Sequence, residues 1–463
     1  MDVAWIGVDL GTQSVRSVLI DSTGTVLARA TRSLSSNRSS ETHEQDPRDW
    51  LAAVDATLAE VSTPEVEGLA ICSTSGTVLL TDQAGRPTTQ ALMYDDARAA
   101  ALLPRIVAAD PDRWSSKMQP TWALPKILWL DPQGRRIAHS ADVVAADLAG
   151  HPVATDTSHA LKTGYDLIAD RWPTEDFERL GLRPEIFPEV VLPGTELGRV
   201  STAKAQVTGV PAGTPIYAGM TDGCAAQIAA GALSPGAWNS VLGTTLVLKG
   251  VSKDLLEDPT GAVYSHRHPD GGWLPGGASN TGAGALTMMF PGADLDALDH
   301  AARALGPIDA AIYPLTKPGE RFPFVAPHAE GFELGDIPDD LHRYAGVLQG
   351  VAFIEKLAFT HLESLGAEAI RSVSLTGGAV RSGYWNQLRA DVLGVPVELP
   401  AAADPAYGMA VLAASAGTSL TETAARLVRI DRVIEPRPQP RLQDLYGGFV
   451  AELDRRGYRG IRG

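Results

Sequence analysis

The feature that most constrains the fold is a unit that occurs twice along the chain. In each copy an apolar run enters a short loop containing Gly and Thr, and a second apolar run leaves it. The first copy spans residues 3–21 and the second spans residues 236–250. Turn residues between apolar runs of this length predict paired strands. Because one unit opens each half of the chain, the repetition predicts a duplicated α/β domain whose two loops face each other across a cleft.

The first loop has the chemistry of a phosphate site. Asp9 ends the first strand, and Gly11, Thr12 and Gln13 follow it. Gly11 allows an anion to approach the backbone, while Thr12 and Gln13 add hydroxyl and amide donors. A single carboxylate beside such a loop suits magnesium, because this ion keeps most of its waters and can bridge to a phosphate. An ordinary hairpin with a polar tip would show the same residues, so this segment alone leaves both interpretations open.

A third element lies at residues 372–382, where a buried-type strand runs into Gly377 and Gly378. Two adjacent glycines let a flat ring lie against the backbone. A helix is predicted to follow through residues 384–393.

In this order the three elements resemble the actin-like ATPase fold, and within it the FGGY carbohydrate kinases. Residues 9–12 look like the first phosphate motif of that family and residues 242–245 like the second. Residues 377–385 resemble its adenosine motif, and residues 319–323 match its Gly-Glu-Arg-x-Pro segment. The similarity extends over nearly the whole chain.

The resemblance implies two actin-like, ribonuclease H-like ATPase domains with a cleft between them, residues 1–233 and 234–463. It also implies ATP and Mg²⁺ as cofactors, with Asp9 placing the metal. The residues expected to bind the nucleotide are Gly11, Thr12, Gln13, Gly243, Thr244, Thr245, Gly377, Gly378 and Ser382.

Asp222 is the candidate catalytic residue. It stands where an apolar strand breaks at Gly219 and passes into a helix of small residues. A helix cap would also place an aspartate there. By the resemblance, Asp222 is the general base that accepts the proton of the attacking sugar hydroxyl.

Sugar contacts are predicted at two further segments. Ser75 lies in a polar loop between two apolar runs, and Tyr94, Asp96 and Arg98 occupy the positions of the family's Trp-x-Asp-x-Arg motif. Arg98 could equally be a structural partner of Asp95 or Asp96. The predicted substrate-binding residues are Asp9, Ser75, Tyr94, Asp96, Arg98 and Asp222.

The substrate prediction depends on departures from the family pattern. Xylulose kinases generally carry Met-His-Gly where this chain has Thr74, Ser75 and Gly76. The loop instead looks like that of a small xylulose-kinase-like group that acts on D-ribulose. We therefore expect a D-ribulose kinase that makes D-ribulose 5-phosphate, with D-xylulose as the alternative, since the two sugars differ in one hydroxyl configuration. A hypothesis from another class is a non-catalytic sugar or nucleotide sensor on a kinase scaffold.

Charge and cysteine content limit the classes of binding partner and the compartment expected for this protein. The formal net charge of −16 argues against binding to nucleic acid or to an anionic membrane. Cys72 and Cys224 are the only cysteines, which is typical of a reduced cytoplasm. No signal peptide or membrane-spanning segment is predicted. FGGY kinases often form dimers, so a homodimer is a further expectation from the resemblance.

Overall fold

The computed structural model describes residues 3–115 and 118–459, which contain both strands and helices. The strands are β1 (Ala4–Leu10), β2 (Ser14–Asp21), β3 (Val26–Ser33), β4 (Asn37–Arg38), β5 (His43–Gln45), β6 (Val66–Ser73), β7 (Val78–Thr81), β8 (Ala91–Leu92), β9 (Arg136–His139), β10 (Thr155–Asp156), β11 (Val190–Val191), β12 (Glu196–Arg199), β13 (Pro215–Tyr217), β14 (Ala237–Leu242), β15 (Leu246–Gly250), β16 (Tyr264–Arg267), β17 (Trp273–Ala278), β18 (Ala311–Tyr313), β19 (Phe332–Leu334), β20 (Ser372–Thr376), β21 (Val397–Pro400) and β22 (Ile430–Ile434). The helices are α1 (Pro47–Val61), α2 (Leu103–Ala109), α3 (Pro111–Trp114), α4 (Ala123–Leu130), α5 (Ser140–Ala149), α6 (Thr157–Ala160), α7 (Thr174–Arg179), α8 (Thr202–Thr208), α9 (Asp222–Ala229), α10 (Gly284–Met289), α11 (Leu295–Leu305), α12 (Asp340–Ser364), α13 (Gly383–Leu393), α14 (Pro405–Ala414), α15 (Leu420–Leu427) and α16 (Pro440–Arg455). Within the described ranges, no helix combines the length and the apolar character needed to cross a membrane.

The chain folds into two compact units. The first contains the chain up to Ala229 together with residues 266–271 and 404–428, and the second contains the remainder. Helices α14 and α15 therefore belong to the first unit although they lie late in the sequence. The sequence boundary at residue 233 stays a prediction about domain limits.

The first unit is built on a six-stranded sheet in the order β12-β13-β6-β1-β2-β3. Strand β1 runs antiparallel to β2 and parallel to β6, which in turn runs parallel to β13. The carboxyl ends of β1, β6 and β13 therefore meet at one edge of the sheet, the place where α/β sheets usually bind ligands.

Helix α14 packs on this sheet through glycines. A Cβ atom on Gly7 of β1 would lie 1.8 Å from the carbonyl oxygen of Ala406, and one on Gly408 of α14 would lie 2.0 Å from that of Ala225 in α9. Only residues without a Cβ permit these approaches, so the glycines set the distance between α14 and the elements that carry Asp9 and Asp222.

A second, five-stranded sheet in this unit has the order β4-β5-β8-β7-β9. Its own apolar cluster includes Trp114, Phe177 and Phe187, with the two phenylalanine rings stacked at 4.3 Å between centroids. This layer carries the segments in which the sugar contacts were predicted.

The second unit repeats the central arrangement of the first. In its sheet β14 runs antiparallel to β15 and parallel to β20, as β1 does to β2 and β6. From β17 onward, the order of this sheet is β17-β15-β14-β20-β21-β22. Helix α12 crosses its core, where Glu355 and Arg389 form a fully buried ion pair at 2.7 Å. The duplication and the α/β class predicted from the sequence are confirmed.

Candidate active site

Asp222 lies at the carboxyl edge of the first sheet. Thr221 pairs with Ser73 in an isolated parallel bridge, which continues the β13–β6 pairing to the start of α9. Asp222 is the first residue of α9, and its Oδ1 accepts a hydrogen bond from the Gly223 N–H at 2.7 Å. Its side chain is partly exposed. The structure thus places this carboxylate at a helix start and at the edge where substrates are expected.

Asp9 lies at the same edge, at the end of β1, and only 4% of its surface is exposed. Burial raises the pKa of Asp9 to about 7, and the nearby carboxylates of Asp222 and Asp404 add to this effect. Arg16, 3.5 Å away, and the Cys72 thiol, which donates to Asp9 Oδ1 at 3.6 Å, oppose it. The edge therefore concentrates negative charge, and a cation bound there would relieve the repulsion.

A buried carboxylate such as that of Asp9 is a ligand type that magnesium accepts. Among the described residues, no three His, Cys, Asp or Glu side chains cluster closely enough to hold a metal ion. Magnesium usually binds proteins through one or two carboxylates and several waters, so it does not need such a cluster. The buried carboxylate of Asp9 meets that requirement.

The loop after β1 is held by backbone hydrogen bonds. The N–H of Gly11 donates to Ser14 O at 3.1 Å, and Gln45 Nε2 donates to Thr12 O at 2.6 Å. Thr12 is partly exposed and Gln13 is exposed. The loop conformation is therefore fixed while its side chains stay accessible to a ligand.

The loop after β14 has a similar closure. The N–H of Gly243 donates to Thr245 O at 3.1 Å, and the N–H groups of Ala283 and Gly284 donate to Gly243 O at 2.9 Å and Thr244 O at 3.1 Å. Thr244 is exposed, whereas Gly243 and Thr245 are partly exposed.

Glu320 supports the second loop from behind. This buried carboxylate accepts hydrogen bonds from Ser279 Oγ at 2.9 Å, Thr281 Oγ1 at 3.1 Å and Tyr313 Oη at 3.0 Å. Thr281 O in turn accepts the N–H of Leu246, the first residue of β15, at 2.8 Å. The Gly-Glu-Arg-x-Pro segment thus fixes the chain that pairs with the loop.

Gly377 and Gly378 follow β20 at the same edge as the second loop, because β20 runs parallel to β14. Gly377 has a φ of +87°, and a Cβ there would lie 2.6 Å from Leu242 O. Gly378 is exposed and has open space beside it. The first glycine is required by the backbone, whereas the second leaves a flat surface for a ligand.

Ser382 caps α13. Its Oγ accepts the N–H of Trp385 at 2.9 Å and donates to Asp299. These structural bonds already engage the hydroxyl that the sequence analysis assigned to the nucleotide.

Ser75 and Tyr94, two of the predicted sugar contacts, differ in exposure. The hydroxyl of Ser75 is buried and has no hydrogen-bond partner among the described residues. Tyr94 is 41% exposed, and burial of its remainder, with the charges of Asp95 and Asp222, raises its pKa.

Buried Asp96 and partly buried Arg98 form an ion pair at 2.7 Å. Asp96 also accepts the backbone N–H of His43 at 2.7 Å. Arg98 donates to Glu44 at 2.6 Å and lies 4.9 Å from the ring centroid of Trp129. Of the alternatives left open by the sequence, this geometry favours a structural pairing of Arg98 with Asp96.

Lys126 is a residue that the sequence analysis missed. Its buried Nζ donates to Gly76 O at 2.9 Å and to Met93 O at 2.5 Å, and so joins the Ser75 loop to the strand before Tyr94. Burial lowers the pKa of Lys126 to about 7. A lysine inside the apolar run 123–130 was the available signal, because a buried amine requires specific acceptors.

Six strands of each sheet follow the same order, and each sheet has a glycine-containing loop at its carboxyl edge, an arrangement typical of the actin-like ATPase fold. The sequence pattern of the FGGY carbohydrate kinase N-terminal domain matches residues 4–229, and that of the C-terminal domain matches residues 238–417. The chain belongs to the FGGY family of carbohydrate kinases and is an ATP-dependent phosphotransferase.

Individual relatives span almost the whole chain. A xylulose kinase of Klebsiella pneumoniae is 28% identical over 446 residues, which cover 88% of this chain and 89% of that protein. A glycerol kinase of Gloeobacter violaceus is 29% identical over 480 residues, covering 93% and 92%. The crystal structure of a xylulose kinase from Rhodospirillum rubrum superposes with a TM-score of 0.86 at 25% identity, covering 98% of each chain.

Proposed function

We propose that this kinase transfers the γ-phosphate of ATP to the terminal hydroxyl of a ketopentose. The observation that carries the proposal is the pair of carboxylates at one sheet edge, Asp222 at the start of α9 and buried Asp9 beside it. A sensor that only binds ligands has no need to keep two mutually repelling carboxylates at such an edge.

D-xylulose is the first candidate substrate and D-ribulose the second. Relatives named xylulose kinase match about nine-tenths of the chain, which favours D-xylulose. The Ser75 loop supports D-ribulose. Identity alone does not decide between sugars, because the glycerol kinase is as similar to this chain as the xylulose kinases are.

Asp222 acts as the general base in this proposal. Its partly exposed carboxylate accepts the proton of the attacking hydroxyl, while the Gly223 N–H holds Oδ1 in place. Phosphoryl transfer has a loose transition state, so the carboxylate contributes chiefly by orienting the nucleophile.

Nucleotide binding is assigned to the loops. Gly11, Thr12 and Gln13 bind phosphate oxygens in the first unit, and Asp9 would hold magnesium, which neutralises phosphate charge when bound. In the second unit, the residues assigned to nucleotide binding are Gly243, Thr244, Thr245, Gly377, Gly378 and Ser382.

Sugar binding is assigned to Ser75 and Tyr94. The buried Ser75 hydroxyl has no hydrogen-bond partner among the described residues. A bound sugar hydroxyl would supply that partner. Asp96 and Arg98 stabilise the Tyr94 segment through their ion pair and the hydrogen bond from the His43 N–H to Asp96.

The first test measures ADP formation with magnesium and ATP against D-xylulose, D-ribulose, L-xylulose, L-ribulose, glycerol and erythritol. One pentulose giving a strong increase over basal hydrolysis supports the proposal and selects the sugar. A response to glycerol alone would reject the ketopentose, and tight sugar binding without turnover would favour the sensor.

The second test is Asp222→Asn. We expect kcat to fall about 100-fold or more, with little change in sugar affinity measured by calorimetry. Asp46→Asn is the matched control, because Asp46 caps α1 and asparagine caps equally well. Near-normal turnover by the Asp222 variant would show that this residue is only a cap.

A further inference from the structure

A buried polar network beside the site has no part in the mechanism above. Asp156 caps the short turn α6, and Ser158, His159, Ser73 and Thr221 surround it, all of them buried. Buried polar groups with several satisfied hydrogen bonds fix local geometry, because breaking one leaves an unpaired group.

One branch of the network reaches the start of α9. Asp156 Oδ1 accepts the Ser158 hydroxyl at 2.5 Å, and Ser158 Oγ accepts the backbone N–H of Thr221 at 2.9 Å. Thr221 O accepts the N–H groups of Cys224 and Ala225, both at 2.9 Å. Ser158 therefore holds the residue on which the first turn of α9 begins, immediately before Asp222.

The other branch reaches β6. Asp156 Oδ2 pairs with His159 Nδ1, and His159 Nε2 is hydrogen-bonded to Ser73 Oγ at 2.8 Å. Ser73 is the bridge partner of Thr221. The two oxygens of one carboxylate thus hold both backbone segments that meet at the site edge.

The charge state of Asp156 suits this arrangement. Burial opposes ionisation, but the charge of His159 and hydrogen bonds from His159 and Ser158 hold the pKa of Asp156 below its usual value. The ionised carboxylate accepts both branches at once.

We propose that Asp156 and Ser158 are positioning residues for phosphoryl transfer, which hold Thr221 so that Asp222 is aimed at the acceptor hydroxyl. The inference rests on the proposed role of Asp222. It adds a function for a segment about 60 residues earlier in the chain that no motif or comparison assigns.

The test compares Ser158→Ala with Ser140→Ala. Ser140 is equally buried, and its hydroxyl donates to Ser73 Oγ at 2.8 Å without reaching α9. Both variants delete one buried hydroxyl from the same network. We expect Ser158→Ala to lower kcat roughly 10- to 100-fold with the sugar KM changed less than about 2-fold, because small misplacements of a reacting group cost rate rather than affinity. Ser140→Ala should change kcat less than about 2-fold at a similar loss of thermal stability.

Hydrogen exchange of the Thr221 amide gives a readout independent of turnover. Its protection should fall in Ser158→Ala and persist in Ser140→Ala. Normal kcat in Ser158→Ala, equal loss of kcat in both variants, or unchanged protection of Thr221 would each overturn the inference. If the unaltered enzyme phosphorylates no sugar, the proposed function fails, and Thr221 protection alone then decides whether Ser158 holds α9.

Discussion

Replacing Lys126 by methionine should change how the stability of the first unit depends on pH. Lys126 is fully buried, and its amine bonds two backbone carbonyl oxygens, those of Gly76 and Met93. Burial lowers its pKa from 10.5 to about 7 in the folded protein. Between these values the unfolded chain binds a proton that the folded protein has largely released, so raising the pH stabilises the folded state.

The size of the effect follows from those two pKa values. From pH 7.5 to pH 9.5, the linkage relation gives a gain of roughly 2–3 kcal/mol in the free energy of unfolding from this lysine alone. Methionine has a similar length and no titrating group, so the variant loses that gain. Loss of the two hydrogen bonds also lowers the free energy of unfolding by about 1–3 kcal/mol for each carbonyl left unpaired. This loss is the same at every pH from 7.5 to 9.5.

The assay is urea denaturation of wild type and Lys126→Met at pH 7.5, 8.5 and 9.5, followed by tryptophan fluorescence. Lys204→Met is the control. Burial alone would lower the pKa of Lys204, but its hydrogen bonds to Asp147 and Asp55 have the larger effect and raise that pKa. Lys204 therefore stays protonated between pH 7.5 and 9.5. Its replacement should change the free energy of unfolding by the same amount at each pH. A difference between wild type and Lys126→Met that stays constant with pH would refute the reasoning.

Two further predictions concern packing in each unit. Gly7→Ala should destabilise the first unit by about 3 kcal/mol or more, seen as a lower melting temperature, because the new Cβ would lie 1.8 Å from Ala406 O; Gly447→Ala, with open space around it, should be neutral or slightly stabilising. Glu355→Ala should cost the second unit about 3–5 kcal/mol in urea denaturation, because it leaves Arg389 buried without its carboxylate. Adding Arg389→Met should recover part of that loss, and no recovery would contradict the ion-pair explanation.

The duplicated core could be predicted because its signals are local. The loops near Gly11 and Gly243 stand between apolar runs, and the structure has paired strands on both sides of each, β1 with β2 and β14 with β15. The turn at Gly377 follows a strand as expected, and its φ of +87° gives the physical reason for glycine there. Patterns of a few residues carry this information without reference to the rest of the chain.

Contacts between distant segments could not be predicted in this way. Residues 404–428 return to the first unit, and Asp404 adds negative charge near Asp9, about 400 positions earlier. Lys126 bonds carbonyls 50 and 33 positions away. No period or turn signal in the sequence encodes such pairs, because each depends on how whole elements pack.

The distant contacts that position the site are of two kinds, close packing at glycines and hydrogen bonds to loops. Glycine contacts such as that of Gly7 with Ala406 leave no freedom for the strand that carries Asp9, so the position of the phosphoryl chemistry is set by the core of the fold. The Ser75 loop and the Tyr94 segment are instead joined through hydrogen bonds from a single amine, that of Lys126. A core contact that leaves no room for a Cβ cannot vary without displacing a helix, whereas a loop held by hydrogen bonds can change residues and keep its shape. Relatives that keep the fold and differ in sugar are therefore expected to differ in the loops, and overall identity near 28% is a poor guide to the sugar that this kinase prefers.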